Sequence, residues 1–203
     1  MDAPEFNRLI VAAMSRWAES TDELRDLDAA LGDGDLGLTV GAGASAVTAA
    51  LEALADDADV PAVLKAAAKA FSTANPSTMA ALIGGGLLAA AKAVPAATEV
   101  GRAEAVAIGR AVADSIATRG KAAVGDKTIL DALVPAVDAA EATQNDPLAA
   151  AVRAAAEGVE STAALQSQRG RAAWQGERSK GHQDPGAVAF LRFVEALHQE
   201  VSS

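Results

Sequence analysis

Apolar residues recur at intervals of three and four along almost the whole chain, and this spacing restricts the fold more than any other feature of the sequence. An interval of three to four residues places side chains on one face of an α-helix. No run of alternating β-branched residues predicts a strand. The sequence therefore predicts an all-α fold. The first apolar series consists of Phe6, Leu9, Ile10, Ala13 and Trp17.

Proline, glycine and capping residues divide the chain into eight predicted helices. Asp146-Pro147 and Asp184-Pro185 each place a capping acid before a proline at the first helical position. Asp126 is expected to cap the sixth helix. Most connections are short, so successive helices should run antiparallel, and residues 1–203 should form a single-domain, eight-helix up-and-down bundle or barrel. The predicted helices span 4–27, 37–55, 60–73, 77–94, 102–119, 127–142, 147–166 and 185–201.

The loops between these helices alternate in chemical character. The loops at 28–37, 74–78, 120–127 and 167–184 are rich in Gly, Asp, Ser, Thr, Lys and Arg, whereas the intervening loops are plainer. Alternate loops of an up-and-down bundle lie at the same end. The four polar loops are therefore expected to converge on a functional site at one end of the bundle.

Three carboxylates, those of Asp28, Asp33 and Asp35, lie within eight residues in the first polar loop. Oxygen ligands at this density, on a glycine-rich turn, are typical of Mg²⁺ or Ca²⁺ sites. A calcium loop of the EF-hand type needs a further acid late in the loop, which this segment lacks, so Mg²⁺ completed by substrate phosphates fits better. The alternative is a capped turn in which the acids only bind helix amides.

Two further loops offer polar groups at the start of a helix. The segment 72–78 is rich in hydroxyl groups and fits an anion site at a helix N-terminus, although ordinary capping is the simpler explanation. The segment 125–128 lacks the spaced glycines of a phosphate-binding P-loop and alone indicates a cap. The glycines at 84–86 interrupt an apolar helix and predict close packing or close approach of a ligand.

The last polar loop, the longest irregular stretch, is basic in an acidic protein. Arg169, Arg171, Arg178 and Lys180 outnumber Glu177 there. Basic side chains beside an acidic, metal-binding loop indicate a phosphate ester whose charge is shared by Mg²⁺ and arginine, with a solvated loop as the alternative. No nucleophilic triad is recognisable, so the chemistry should rest on positioning and electrostatics, with no catalytic side chain.

Charge and composition exclude several classes of protein. The net charge of −10 argues against nucleic acid or an anionic membrane surface as a partner. No segment has the pattern of a membrane-spanning helix or a signal peptide. The chain contains no cysteine, which excludes disulfides and thiolate metal sites and indicates a cytoplasmic location.

Three motifs, in the order LDAALGDGDLG, GDKTILDALVP and GRAAWQGERSKGHQDPGA, resemble the nucleotide-binding L subunit (DhaL) of dihydroxyacetone kinases. The resemblance covers essentially the whole chain and implies an eight-helix antiparallel barrel with an ADP or ATP site at one end. It also implies two Mg²⁺ ions that bridge the nucleotide phosphates and are held by Asp28, Asp33 and Asp35. The nucleotide-binding residues expected from it are Leu36, Thr39, Asn75, Ser77, Thr78, Met79, Gly125, Thr128, Ile129, Gly170, Arg171, Arg178, Asp184, Pro185 and Gly186.

The same resemblance implies an activity. The chain would be one component of a kinase and would transfer a phosphoryl group to the hydroxyl of a ketose that a separate K subunit holds through a histidine. The donor would be ATP, or a phosphotransferase-system protein that rephosphorylates bound ADP. A homodimer is left open. The alternative function is a non-catalytic, nucleotide-sensing subunit that regulates a transcription factor.

Two departures from the family pattern bear on the substrate. Leu36 stands where the family usually has histidine after the third aspartate, and Thr39 is expected to contribute instead. The residues 75–79 replace the usual Gly-Gly-x-Ser-Gly phosphate cover. Both indicate a divergent branch, such as one that acts on a tetrulose like erythrulose rather than on dihydroxyacetone.

Overall fold

The computed structural model describes residues 1–202, and most of them are helical. The predicted all-α fold is confirmed. Within this range the chain forms nine α-helices and one 3-10 segment: α1 (Ala3–Ala18), α2 (Thr21–Leu31), α3 (Asp35–Glu52), α4 (Val60–Ala74), α5 (Thr78–Ala93), α6 (Arg102–Gly120), α7 (Leu130–Ala142), α8 (Pro147–Thr162), the 3-10 segment (Arg171–Ser179) and α9 (Pro185–Val201).

Eight of the helices described over residues 1–202 form a closed ring. α1 packs on α3, each helix from α3 to α8 packs on the next, and α9 returns to α1. The short α2 packs on α3 and α9. Alanine, valine and leucine side chains dominate the buried core. The structure is therefore the predicted eight-helix barrel, with α2 as an additional element.

The predicted first helix, 4–27, is divided into α1 and α2. The Ser20 hydroxyl donates to the carbonyl of Trp17 at 2.6 Å, and the Thr21 hydroxyl donates to the carbonyl of Ala18 at 2.6 Å. Serine and threonine hydroxyls in such positions compete with backbone amides for the last carbonyls of a helix. The local sequence thus favours a break where the apolar spacing alone predicts continuity.

A small aromatic cluster joins three helices of the ring. The rings of Trp17 and Phe71 stack with centroids 5.8 Å apart, and Phe193 meets Trp17 edge-on at 5.5 Å. The indole N–H of Trp17 donates to the carbonyl of Ala189 at 2.8 Å. Because a buried indole needs such a partner, this hydrogen bond fixes α1 against α9.

The glycines inside α5 allow it to pack closely on both neighbours. A Cβ atom at Gly84 would lie 2.7 Å from Ser72 Cβ in α4, and one at Gly86 would lie 3.0 Å from Val112 Cγ1 in α6. The first separation is shorter than real Cβ contacts, and the second would require Val112 to move by a few tenths of an ångström. The packing that the sequence predicts for residues 84–86 is therefore observed.

The two ends of the barrel differ. One end, the plain end, carries the connections 53–59, 94–101 and 143–146 together with the start of α1 and the end of α9. There the Met1 amino group donates to the carbonyl of Val100 at 3.2 Å, and His198 lies 3.9 Å from Asp146. The other end carries the connections 32–34, 75–77, 121–129 and 163–184. No helix of residues 1–202 has the length and apolar character needed to cross a membrane.

Candidate functional site

The four polar loops meet at the end of the barrel opposite the plain end, called the site end here. The Asn75 side-chain amide donates to Thr39 Oγ1 at 2.9 Å and links the second loop to α3, which follows the first. The Gln168 amide donates to the carbonyl of Asp126 at 3.0 Å and links the fourth loop to the third. Arg171 of the fourth loop reaches the first. The convergence predicted from loop order is therefore observed.

Three carboxylates, the acidic cluster of Asp28, Asp33 and Asp35, face one another across the turn between α2 and α3. One oxygen from each lies within 4.8 Å of the others. Asp33 is exposed, whereas Asp28 and Asp35 are half-buried. The first loop thus brings together all three acids that the sequence predicts as metal ligands.

Gly34 leaves two of these carboxylates free of capping. It is the residue before the first turn of α3 and has φ 76°, a left-handed conformation that favours glycine. Because glycine has no side chain, the residue that precedes α3 does not cap it. Of the cluster, Asp28 accepts a hydrogen bond from the Leu36 amide at 3.2 Å. The capping alternative thus applies to Asp28, and the metal alternative remains for the cluster as a whole.

The only arginine that contacts the acidic cluster within residues 1–202 is Arg171. Its guanidinium donates to Asp35 Oδ2 at 2.9 Å and also to Asp33 Oδ2. Burial raises the pKa of Asp28, and the negative charges of Asp35 and Asp33 raise it further, while the Leu36 amide and Arg171 oppose the shift. The cluster therefore concentrates negative charge that a cation would relieve.

The acidic cluster fits a hard divalent cation. Mg²⁺ binds oxygen at roughly 2.1 Å, so two ligands on opposite sides of one ion lie about 4 Å apart. The carboxylate oxygens here lie within 4.8 Å of one another. Small side-chain rotations are therefore enough for Asp28, Asp33 and Asp35 to share bound Mg²⁺.

A chain of side-chain hydrogen bonds fixes the second loop beside α3. The buried Thr39 hydroxyl accepts from Asn75 and lies 3.2 Å from Ser77 Oγ, with which it is hydrogen-bonded. Ser77 Oγ in turn accepts from the Ala80 amide at 3.1 Å and caps α5. Leu36 is buried in the core. Thr39, but not Leu36, therefore offers a polar group that contacts the second loop.

Sequence reasoning did not identify Asp131, which organises the third loop. This buried carboxylate accepts from the Gly125 amide at 2.6 Å and from the Thr128 amide at 2.7 Å. The pattern of threonine followed three residues later by an acid is a known helix-start signature and could have indicated it. The predicted helix 127–142 consequently begins at Leu130.

The expectation that Asp126 caps the sixth predicted helix is wrong. Its carboxylate accepts instead from the Ala123 amide at 3.1 Å and from Arg169 Nε at 3.0 Å. The helix starts at Leu130, beyond the reach of a cap at Asp126, since a capping side chain binds amides two or three residues on. Asp126 instead connects the third loop to the fourth.

Lys127 is the second residue of the third loop whose role the sequence does not reveal. Its side chain is 1% exposed, and its backbone has φ 61°. The ammonium donates to the carbonyl oxygens of Leu165 at 3.1 Å, Ser179 at 2.6 Å and His182 at 2.6 Å. Burial lowers the pKa of Lys127, and the charge of Asp184 opposes that shift.

Asp184 caps α9 as the sequence predicts. Its carboxylate accepts from the Ala187 amide at 2.7 Å, and its own amide donates to Thr162 Oγ1 at 2.9 Å. Burial raises the pKa of Asp184 to about 7; the negative charge of Asp131 adds to the rise, whereas the Ala187 amide and Lys127 oppose it.

Other predicted nucleotide-binding residues come together around the start of α9. A Cβ atom at Gly186 would lie 3.2 Å from Met79 Cε and 3.5 Å from the Ile129 nitrogen, so the starts of α5 and α9 meet the end of the third loop here. Pro185 beside it is buried, whereas Thr78, Gly125, Gly170 and Arg178 are exposed. The roles of all these residues in binding stay predictions.

Several known proteins have sequences similar to that of this chain. A family model described as the DAK2 domain matches residues 30–199. The ADP-binding subunit DhaL of the PEP-dependent dihydroxyacetone kinase of Escherichia coli is 34% identical over 89% of this chain and 89% of its own length. The L-erythrulose 1-kinase of Mycolicibacterium smegmatis is 36% identical over 98% of this chain, which spans only 36% of that enzyme.

A solved structure has the same architecture. The dihydroxyacetone kinase from C. freundii, in complex with AMP-PNP and Mg²⁺, superposes with a TM-score of 0.78 over 95% of this chain and 33% of that chain. The sequence identity is 24%. This likeness establishes the shared fold.

Proposed function

Because the chain belongs to the DAK2 domain family, we propose that it is the ADP- or ATP-binding subunit of a two-component kinase that phosphorylates a small ketose. One observation carries this proposal. The acidic cluster and Arg171 face each other at the end of the barrel where four polar loops meet. Carboxylates for a metal and a cationic side chain for phosphate are groups that enzymes of phosphoryl transfer commonly use.

The acidic cluster would hold two Mg²⁺ ions against the nucleotide phosphates. When bound, these ions would neutralise charge on the phosphate oxygens. Arg171 donates hydrogen bonds to Asp33 and Asp35. Its guanidinium is also suited to bind two phosphate oxygens at once. Arg171 would therefore orient the phosphates over the cluster.

The second loop would cover the phosphates. Thr39, Asn75 and Ser77 form a hydrogen-bonded unit beside α3, and the N-terminus of α5 follows directly. Amides at a helix N-terminus attract anions. This unit would take the place of the glycine-rich cover usual in the family, and Thr39 would supply the polar contact that Leu36 cannot.

The base and ribose would lie between the third and fourth loops. There the apolar side chain of Met79 and the backbone nitrogen of Ile129 both lie next to Gly186. An adenine ring needs such a flat, largely apolar environment with a few polar contacts. The flanking residues of this proposed subsite are Thr78, Gly125, Thr128, Gly170, Arg178, Asp184 and Pro185.

The ketose would be bound outside this chain, on a K-type subunit. The E. coli relative is itself named a subunit, while the erythrulose kinase is nearly three times as long as the part that this chain matches. The chain thus corresponds to a nucleotide-binding part that works with a second part. Dihydroxyacetone and erythrulose are the two candidate substrates, and the donor is ATP or a phosphotransferase-system protein acting on bound ADP.

The activity can be tested by mixing the chain with a K-type subunit, Mg²⁺, a ketose and either donor. Formation of ketose phosphate should require both proteins and should stop when EDTA removes the metal. Asp28→Asn should reduce the rate at least tenfold, since a neutral amide is a weaker ligand for Mg²⁺ than a carboxylate. Asp26→Asn is the matched control, because Asp26 is an exposed acid of the same helix that pairs with Arg25.

Two other outcomes would change the assignment. Binding of Mg-ADP and of a regulatory protein, without transfer from either donor to any ketose, would favour the nucleotide-sensing alternative. Equal rates for Asp28→Asn and the wild type would remove the metal site from the proposal. A single domain over residues 1–203 and a cytoplasmic location are further predictions, and cell fractionation would check the location. A homodimer is left open, and gel filtration would decide it.

A further inference from the structure

A lysine is seldom buried, and Lys127 is buried without an ion pair to any carboxylate of residues 1–202. An ammonium has three N–H donors, and each of those of Lys127 meets one backbone carbonyl oxygen. Removing a charged group from water is costly unless every donor finds a partner. The interaction therefore depends on the fourth loop keeping all three carbonyls in place.

The three carbonyls come from the two ends of the fourth loop. Leu165 lies near its start, just after α8, whereas Ser179 and His182 lie near its end, just before α9. The ammonium of Lys127 is therefore hydrogen-bonded to both ends of the fourth loop. The stretch between them contains most of the 3-10 segment, which begins at Arg171 and ends at Ser179.

The third loop that carries Lys127 is itself held firmly. Asp131 accepts hydrogen bonds from the amides of Gly125 and Thr128, on both sides of Lys127. Lys127 has a left-handed backbone, which is uncommon for a residue with a side chain. Residues kept in such a conformation are held by their surroundings and concentrate at functional sites.

We propose that Lys127 is a positioning residue of the nucleotide site: its ammonium closes the fourth loop on itself and thereby sets where Arg171 stands over the acidic cluster. The inference rests on the nucleotide-binding function proposed above. Lys127 touches neither the acidic cluster nor Arg171 through any of its three hydrogen bonds. It acts on the site through the loop.

The two tryptophans allow the loop and the barrel to be followed separately. Trp174 lies in the 3-10 segment and is 92% exposed, whereas Trp17 lies in the core and is 7% exposed. In a Trp17→Phe background, the fluorescence anisotropy of Trp174 reports how firmly the loop is held. Lys127→Met should lower that anisotropy without nucleotide, while helix content measured by circular dichroism stays unchanged.

Nucleotide affinity gives a second readout, through a double-mutant cycle. Lys127→Met should weaken Mg-ADP binding roughly tenfold, because the loop must then be ordered when the ligand binds. If Lys127 acts through Arg171, the Lys127→Met/Arg171→Ala variant should bind no more weakly than Arg171→Ala. Additive losses, or an unchanged affinity for Lys127→Met, would overturn the proposal.

A matched control is available in the same loop. Lys121 also has a left-handed backbone, with φ 50°, but its side chain is exposed. Lys121→Met should leave both the anisotropy and the affinity at wild-type values, and an equal effect of the two variants would contradict a specific role for Lys127. Lys127→Gly, whose backbone suits the conformation, serves as a second variant should Lys127→Met fail to fold.

The wild-type protein provides an independent measurement. The Gly181 amide donates to the carbonyl of Ala163 at 2.8 Å, and the Ser167 amide donates to Ser179 Oγ at 2.9 Å. Both amides should be protected from hydrogen exchange without nucleotide, because Lys127 already closes the loop. Exchange at the unprotected rate would overturn the proposal. If both amides are protected but the protein does not bind Mg-ADP, only the proposed function is refuted.

Discussion

Aspartates at the plain end of the barrel bind helix amides, whereas Asp33 and Asp35 at the site end do not. At the plain end each aspartate that precedes a helix is its N-cap, with a carboxylate oxygen within hydrogen-bonding distance of the third amide. At the site end Gly34 precedes α3, so neighbouring acids are left to face one another and Arg171. The caps of the plain end are Asp2, Asp59 and Asp146, which bind the amides of Glu5, Ala62 and Ala149.

This difference shows how one residue type serves either stability or binding. A capping carboxylate contributes about 1 kcal/mol to its own helix. Asp33 and Asp35 gain nothing of that kind; Arg171 relieves part of their mutual repulsion, and a bound metal ion would relieve more. Proteins commonly accept such a cost at functional sites. Substitution of aspartate should therefore have opposite consequences at the two ends.

The largest expected effect is on ligand-dependent stability. In Asp33→Ala/Asp35→Ala, Mg-ADP should no longer stabilise the protein, because the carboxylates that would hold the metal are gone. At a ligand concentration of about a thousand times Kd the stabilisation of the wild type is ~4 kcal/mol. Urea unfolding with and without Mg-ADP measures the loss, and a fully retained shift would contradict the metal assignment.

The same removal of two charges at the plain end is the control. Asp59→Ala/Asp146→Ala should unfold at lower urea concentration without ligand, since α4 and α8 lose their caps. It should nevertheless keep the full stabilisation by Mg-ADP. Loss of the ligand effect in this variant would mean that the two ends are not independent.

The plain end was largely predictable from sequence, and the site end only in part. Asp146-Pro147 at the plain end and Asp184-Pro185 at the site end mark helix starts with local chemistry, and both helices begin at the predicted prolines. The convergence of the polar loops followed from their order along the chain. In contrast, the burial of Lys127 depends on carbonyls that lie 38 to 55 residues away in sequence. Such a contact leaves no local pattern.

The break between α1 and α2 had a local signal that the helical spacing obscured. Ser20 and Thr21 stand together there, and both hydroxyls bind carbonyls of the preceding turn. The 3-10 segment had no comparable signal, because its position follows from contacts of the fourth loop with the third. Local chemistry therefore predicts where helices start and stop, and tertiary contacts decide how long loops fold.

The second largest effect concerns pH. The pKa of Asp184 is raised to about 7, so the folded protein keeps a proton that the unfolded chain releases near pH 4. Stability should therefore fall as pH rises from about 5 to 7, by on the order of 2 kcal/mol, and then level off. Asp28, whose pKa is also raised, adds to the fall in the same direction.

Asp184→Asn should remove most of this dependence, because an amide caps α9 but does not titrate. Relative to the wild type, the variant should gain stability between pH 5 and pH 7. Urea unfolding at a series of pH values measures this difference. A parallel pH dependence in both proteins would show that Asp184 titrates normally. Asp59→Asn at the plain end is the matched control.

A smaller effect is expected from a single cap at the plain end. Asp59→Ala should lower the free energy of unfolding by about 1 kcal/mol, because the Ala62 amide loses its partner. Asp59→Asn should retain most of that stability, since its side-chain oxygen still accepts the hydrogen bond. Equal losses for the two variants, measured by urea unfolding, would point to charge rather than capping.

The smallest effect is expected on the barrel wall, away from both ends. Arg110 pairs with Asp138 at 2.5 Å and with Glu141 at 2.6 Å, and all three side chains are well exposed. Arg110→Ala should change stability by less than roughly 1 kcal/mol, because exposed ion pairs contribute little. Mg-ADP affinity measured by calorimetry should stay the same. A large change in affinity would mean that charge anywhere on the barrel governs binding.

Closure of the ring brings α9 beside α1, with the start of one and the end of the other at the plain end. The chain can therefore be circularly permuted at that end without disturbing the order of helices around the barrel. A helix of 16 residues such as α1 is about 24 Å long. Any domain tethered to either terminus would need at least about seven extended residues to reach the site end.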